Sequence, residues 1–187
     1  MNKVDIVDIY LKGREEGYFN VKLGYEISYT DDPETKAFFA KGRIDGEKIR
    51  KEEKRNESEA GYEIYKKNRK AYITIIGYRS VVENYIADSS QLKDEEDIKA
   101  FEDGCRIARD YIKNDFNVDN SNLYALITGY NNAIKNNLNC FFVMDDENKS
   151  ASQRGYTVAK ICKDLRKQFV NETFNDLKES KNISRKK

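Results

Sequence analysis

The chain has 187 residues, 36% charged and 39% hydrophobic, with 34 Lys and Arg against 33 Asp and Glu and a formal net charge of +1. That length suits one domain, or two small ones sharing a core, and needs no metal or disulfide to fold. The apolar content is too high for a disordered chain, no run of ~18 apolar residues offers a membrane span, and the start of the sequence predicts no secretory leader.

Segment 3–17 reads as a short helix. Over 18–29 two periods compete: Val21, Leu23, Tyr25, Ile27 and Tyr29 alternate as in a strand, while Phe19, Leu23 and Ile27 keep helical spacing. Asp32-Pro33-Glu34 is a helix start, a capping acid followed by proline in the first turn, and predicts a helix to about Lys54. Its face carries Phe39, Gly42, Gly46 and Ile49. Residues 50–59 hold no apolar side chain. They read as a solvated helical extension or a linker, and place the best boundary between an N-terminal helical region, 1–60, and a C-terminal one, 61–187, which share one core or stand apart.

Beyond that boundary Ala71, Ile75, Tyr78, Val82 and Tyr85 repeat at helical spacing, although the β-branched run Ile73-Thr74-Ile75-Ile76 also fits a strand. Asp94, Glu95, Glu96 and Asp97 suit the positive end of a helix dipole. Ile98, Phe101, Cys105, Ala108 and Ile112 follow in 3-4 steps, the clearest amphipathic helix of the chain. Another helix is predicted from Ser121 to Asn136. The apolar run 140–144 is a strand or a buried helix, and a long helix covers about 152–178. The fold expected is therefore mostly α, a multi-helix bundle with a small β element at most.

Glycine followed four residues later by Gly or Ala recurs at Gly13/Gly17, Gly42/Gly46, Gly104/Ala108, Gly129/Ala133 and Gly155/Ala159. Four of these glycines have a large apolar residue three positions earlier: Tyr10, Phe39, Phe101 and Leu126. A glycine inside a helix costs about 1 kcal/mol relative to alanine, so a compensating close approach is expected. Core packing, an internal duplication, or a notch for a second copy would each account for the pattern. Gly42, Gly46, Gly104, Ala108, Gly129 and Ala133 are the helix-crossing or dimer candidates.

Motifs for chemistry are absent. The sequence holds no histidine, which removes the commonest general base, the commonest zinc ligand and the Ser-His-Asp triad together. No phosphate-binding glycine loop occurs. Cys105, Cys140 and Cys162 form no CxxC pair and read as free thiols in a reducing, cytoplasmic compartment. Neither an enzyme nor a cofactor is expected.

Charge instead points to binding. The net charge is −2 over 1–61, +2 over 62–90, −5 over 91–150 and +6 over 151–187, so near-neutrality hides an acidic centre and a basic end. The acidic candidates for a protein partner are Asp94, Glu95, Glu96, Asp97, Glu102 and Asp103. The nucleic-acid candidates are Lys66, Lys67, Arg69 and Lys70, beside Tyr62, Tyr65 and Tyr72, and Lys160, Lys163, Arg166 and Lys167 on the last helix.

Leu23-Gly24, followed by Ser28, Pro33-Glu34-Thr35 and a helix, resembles the turn of helix-turn-helix proteins, although Tyr29 to Asp32 lengthen it. At the level of the whole chain, size, missing catalytic residues, charge asymmetry and glycine-bearing helices are similar to small proteins of phages and mobile elements, anti-CRISPR inhibitors among them. That resemblance rests on no diagnostic motif. It implies a stoichiometric inhibitor that binds a CRISPR effector nuclease and keeps target DNA out. The first expectation is thus a non-enzymatic macromolecular binder of this kind, able to touch DNA or to form a homodimer, with no membrane role. The alternative is a helix-turn-helix-like DNA-binding transcriptional regulator.

Overall fold

A computed structural model describes residues 6–24, 32–83, 87, 89–135 and 145–184, with side chains to residue 171. Six helices follow one another among the described residues: α1 (Ile6–Phe19), α2 (Pro33–Lys54), α3 (Glu59–Val82), α4 (Glu95–Lys113), α5 (Ser121–Ile134) and α6 (Asp146–Ser184). A 3-10 turn, Val118–Asn120, precedes α5. The described residues contain no strand, which corrects the expected β element where it can be seen. Tyr18 and Phe19 end α1, and Ile73–Ile76 lie inside α3. Residues 25–29 and 140–144, the other strand candidates, fall outside the described residues.

The helix boundaries follow capping chemistry. Asp32 accepts hydrogen bonds from the Glu34 and Thr35 amides, each at 3.2 Å, at the start of α2. Ser58 Oγ accepts from Gly61 N at 3.1 Å at the start of α3, and Asp94 from Glu96 N at 2.9 Å at the start of α4. Two helices end on asparagine in the left-handed region: Asn20 (φ 51°) after α1 and Asn114 (φ 55°) after α4. The amide of the next residue then reaches back to Glu16 O and Asp110 O respectively.

The glycines pair the helices. A Cβ built on Gly42 would overlap the Tyr10 carbonyl oxygen, and one on Gly13 the Phe39 carbonyl oxygen. Gly17 meets the Arg43 carbonyl and Gly46 the Arg14 carbonyl. The same reciprocity joins Gly77 to the Phe101 carbonyl and Gly104 to the Thr74 carbonyl, and then Gly129 to the Ser152 carbonyl and Gly155 to the Leu126 carbonyl. In every case the contacted carbonyl lies three residues before the partner glycine. A position three back shares the glycine's helix face, which is why large residues recur there. At this separation Cα–H groups point at carbonyl oxygens across the crossing, a weak but repeated contact.

Each crossing joins two helices that follow one another among the described residues and run in the same direction. Tyr10 donates to Asp45 at 2.7 Å and Tyr18 to Glu53 at 2.7 Å; later residues of α1 meet later residues of α2, with the same offset. Arg69 meets Asp97 while Gly77 meets Gly104, so α3 and α4 are parallel too. In the third pair Gly129 meets Gly155, and Lys163 Nζ donates to Ala133 O at 2.6 Å. Parallel neighbours need a connection long enough to carry the chain back, and residues 20–32, 83–94 and 135–145 supply it. The chain is therefore one helix–connection–helix plan used three times. The notches at Gly42, Gly46, Gly104 and Gly129 are filled by helices of the same chain, with Ala108 and Ala133 buried in the same interior. Of the two alternatives for these residues, a helix crossing or a notch for a second copy, the contacts seen at the glycines are helix crossings within the chain.

The three pairs share a single hydrophobic cluster running from Ile9 through Ile73, Ile107 and Ile127 to Leu165. Helix α3 lies at its centre, with residues 71–78 all buried. A helix buried all round has no polar stripe, so its β-branched run mimics a strand in sequence. Stacking of Phe19 on Tyr72, 4.2 Å between centroids and 13° between planes, ties the first pair to the second. Tyr10 against Phe169, at 4.7 Å, ties it to α6.

Candidate functional site

The first half of α3 projects from the core, and its polar face carries Tyr62, Lys66, Lys67 and Lys70, all exposed, beside half-buried Tyr65 and Arg69. Three other segments meet it. Residues Asn20 to Lys22 leave the end of α1, Arg43 comes from the middle of α2, and Gln91 to Asp97 enter α4. Together they line an open groove of about 770 Å³. Seven cationic residues line it, namely Lys22, Arg43, Lys66, Lys67, Arg69, Lys70 and Lys93, against Asp94, Glu96 and Asp97.

The acids are largely engaged by the fold. Asp97 is 5% exposed and takes a two-pronged bond from the Arg69 guanidinium. Burial works against the Arg69 charge, but its bonds to Asp97 outweigh this and hold the Arg69 pKa above its ordinary value. Glu96 lies 3.6 Å from Lys70, and Asp94 caps α4. Lys22, Lys67 and Lys93 are exposed and have no carboxylate within ion-pair distance among the described residues. The groove thus keeps a positive excess. Tyr62 and Tyr65 stand nearly parallel beside it, 6.3 Å and 17° apart, with Lys54 and Lys66 over the Tyr62 ring at 5.5 and 4.7 Å. Tyr65 is fixed from behind by the Arg50 guanidinium, 3.6 Å from its centroid, which Glu57 holds at 2.7 Å.

The structure divides the candidates read from the sequence. Lys66, Lys67, Arg69 and Lys70 are brought together in the groove. Lys160, Lys163, Arg166 and Lys167 form no comparable cluster. Lys163 holds the Ala133 carbonyl near the end of α5, Arg166 lies 3.8 Å from Asp8, Lys167 lies 3.8 Å from Asp164, and Lys160 is exposed. The acidic candidates are not one surface either. Asp94, Glu96 and Asp97 belong to the basic groove, Glu95 and Glu102 are exposed, and Asp103 accepts from Arg106 at 2.8 Å. The turn that carries the helix-turn-helix resemblance lies largely at 25–31, outside the described residues; the flanking helices α1 and α2 pack side by side in parallel. Sequence reasoning missed Lys22 and Lys93. Each sits alone in its own segment, and only the packing of three elements on α3 assembles them.

Among the described residues the thiols of Cys105 and Cys162 are buried, while Cys140 lies outside them. Cys105 Sγ donates to Gly77 O at 3.3 Å in the interior, and burial pushes the Cys162 thiol well up, with the Glu15 carboxylate adding to the effect. Among the described residues no group of three or more metal-ligating side chains occurs, and no helix is long and apolar enough to cross a membrane.

Glu15 itself faces Tyr72 Oη at 3.5 Å, where α1, α3 and α6 meet. Burial raises its pKa, Arg79 and Arg166 oppose this, and Asp8 reinforces it. A carboxyl whose folded pKa lies above its unfolded one binds more protons when folded, so stability falls as pH rises from the unfolded value. Glu15→Gln keeps the shape and removes that slope. Its melting temperature is expected to match the parent near pH 4 and exceed it at pH 7, and equal melting at both values would refute the assignment.

Scanned against known proteins, the chain matches no family model, and neither a curated protein nor a solved structure matches it.

Proposed function

We propose that the chain is a non-enzymatic binding protein whose lysine-lined groove takes the backbone of a nucleic acid, single-stranded in the first instance. The positive excess of that groove beside the Tyr62 and Tyr65 rings carries this reading. Closely spaced ammonium groups displace condensed counterions from phosphates, and exposed aromatic faces accept unstacked bases.

Binding of a fluorescently labelled single strand, followed at several salt concentrations, is the test. Lys66→Gln, Lys67→Gln and Lys70→Gln combined should weaken binding tenfold or more at low salt and flatten the salt slope by about 2. The fold should tolerate the change, because the Lys66–Glu63 pair at 2.8 Å and the Lys70–Glu96 pair are both exposed. Unaltered binding by the triple variant would discard the groove as the contact surface.

A second reading, a phage-type inhibitor that occupies a CRISPR effector nuclease, is favoured by one observation. Glu95 and Glu102 lie two turns apart, both exposed, on α4, and an acidic helix face is complementary to a basic nucleic-acid channel. Inhibition of target cleavage by a purified DNA-targeting effector, relieved by Glu95→Gln with Glu102→Gln, would support it. Cleavage at the same rate with and without the chain would exclude that effector.

A further inference from the structure

At the opposite end of α4 from the groove, a pocket of about 530 Å³ opens between the C-terminal ends of α3 and α4, α5 and the start of α6. That volume is in the range of small-molecule sites. Its walls are four aromatic rings in sequence. Tyr78 and Tyr111 are 6.4 Å apart at 71°, Tyr111 and Phe116 6.1 Å at 82°, and Phe116 and Tyr124 5.4 Å at 65°. Rings at such angles form the sides of a box rather than a stacked column. Tyr111 and Phe116 are 54% and 55% exposed, although much of the chain's aromatic surface is buried.

The electrostatics of this box are one-sided. Among the described residues its lining holds no lysine or arginine and a single carboxylate, Asp145. Asp145 caps α6, accepting from Asn148 N at 2.8 Å and from Asn148 Nδ2 at 2.8 Å. The second bond fixes the amide, because the opposite orientation would set its oxygen against the carboxylate. Asn148 Oδ1 is thereby turned away, and it is buried with no hydrogen-bond partner. The exposed Asp145 carboxylate is the acceptor in reach of a ligand, and it favours N–H donors. Ring faces attract cations, and so does Asp145. An anion would be repelled by both.

We propose that this pocket is a binding site for an N–H-bearing organic cation, a guanidinium, seated among Tyr78, Tyr111, Phe116 and Tyr124 with donors to Asp145. A planar guanidinium lies flat on one ring and keeps its edge donors for the carboxylate.

The test is a calorimetric titration of the intact chain with acetyl-arginine amide and with acetyl-citrulline amide, its uncharged isostere. The arginine compound should bind saturably, and the citrulline compound at least about fivefold more weakly. Tyr111→Leu with Phe116→Leu keeps apolar volume at two exposed positions but removes their π faces, and should weaken the arginine compound about tenfold. Asp145→Asn keeps the cap, loses the charge, and should reduce the preference for arginine over citrulline. A melting curve close to the parent's checks that both variants fold. Agmatine binding as tightly as an arginine-containing pentapeptide would indicate a free small molecule, and peptide binding tenfold tighter would indicate a protein's arginine. Equal binding of the arginine and citrulline compounds, no saturable binding, or full binding by the Leu variant would overturn the assignment.

Discussion

Gly104→Ala is expected to lower the melting temperature by about 6–12 °C, corresponding to a loss of about 3 kcal/mol. A methyl group there would overlap the Thr74 carbonyl oxygen and lie 2.8 Å from Tyr78 N. Both are backbone atoms of the central helix, so α3 and α4 must move apart along the crossing. Gly42→Ala should behave alike, meeting the Tyr10 carbonyl and the Arg14 amide. Gly61→Ala is the internal control. There the added methyl meets Glu57 Cγ at 2.9 Å, the middle of a flexible side chain. Gly61 lies in the first turn of α3, where alanine is the better helix former by up to about 1 kcal/mol. This variant should melt at or slightly above the parent temperature. Equal melting of the Gly104, Gly42 and Gly61 variants would mean that the parallel crossings do not hold the fold.

Asp97→Ala should cost about 2–3 kcal/mol, the second largest single effect expected. Its side chain is 8% exposed and the Arg69 side chain 24% exposed, so removing the carboxylate leaves a mostly buried guanidinium without its counter-charge. Arg69→Met with Asp97→Leu should recover most of the loss, because two apolar side chains of similar size leave no unpaired charge. Thermal melts of the two single variants and the double variant form a cycle that isolates the pair. Strictly additive losses would show that the two side chains act independently. The same cycle bears on binding, since Arg69 lines the proposed nucleic-acid groove and Asp97 withholds its charge. Asp97→Asn, which keeps the shape, should therefore strengthen single-strand binding while weakening the fold.

What the sequence alone determined here is local. The cap at Asp32 acts on amides two and three residues away, so a reader of the chain can place that helix start without the fold. The 3-4 spacing from Ile98 to Ala108 reports α4 because that helix has one buried and one wet face. The glycine notches were legible for a related reason: a helix-interior glycine has a local cost, and its offset by an approaching backbone is implied even when the approaching segment is unknown. Gly77 escaped the pattern because Val81, not a small residue, stands four positions on.

Tertiary structure alone decided the remainder. Which notch met which, and that paired helices run parallel, depended on connections whose composition carries no direction. The helical spacing of Ala71, Ile75, Tyr78 and Val82 was legible, but the β-branched run Ile73–Ile76 left a strand open, and only the burial of α3 among its neighbours explains why that run carries no charged side chain. The groove draws Lys22, Arg43 and Lys93 from separate segments, and the aromatic pocket draws Tyr78, Tyr111 and Tyr124 from three helices. Charge and ring density at such sites are sums over elements brought together only when the core closes. Lys163 makes the same point in reverse. Read along the chain it belongs to a basic run, but in the fold its ammonium is spent on the end of α5, because a buried carbonyl left without a donor is costlier than a lysine withdrawn from water.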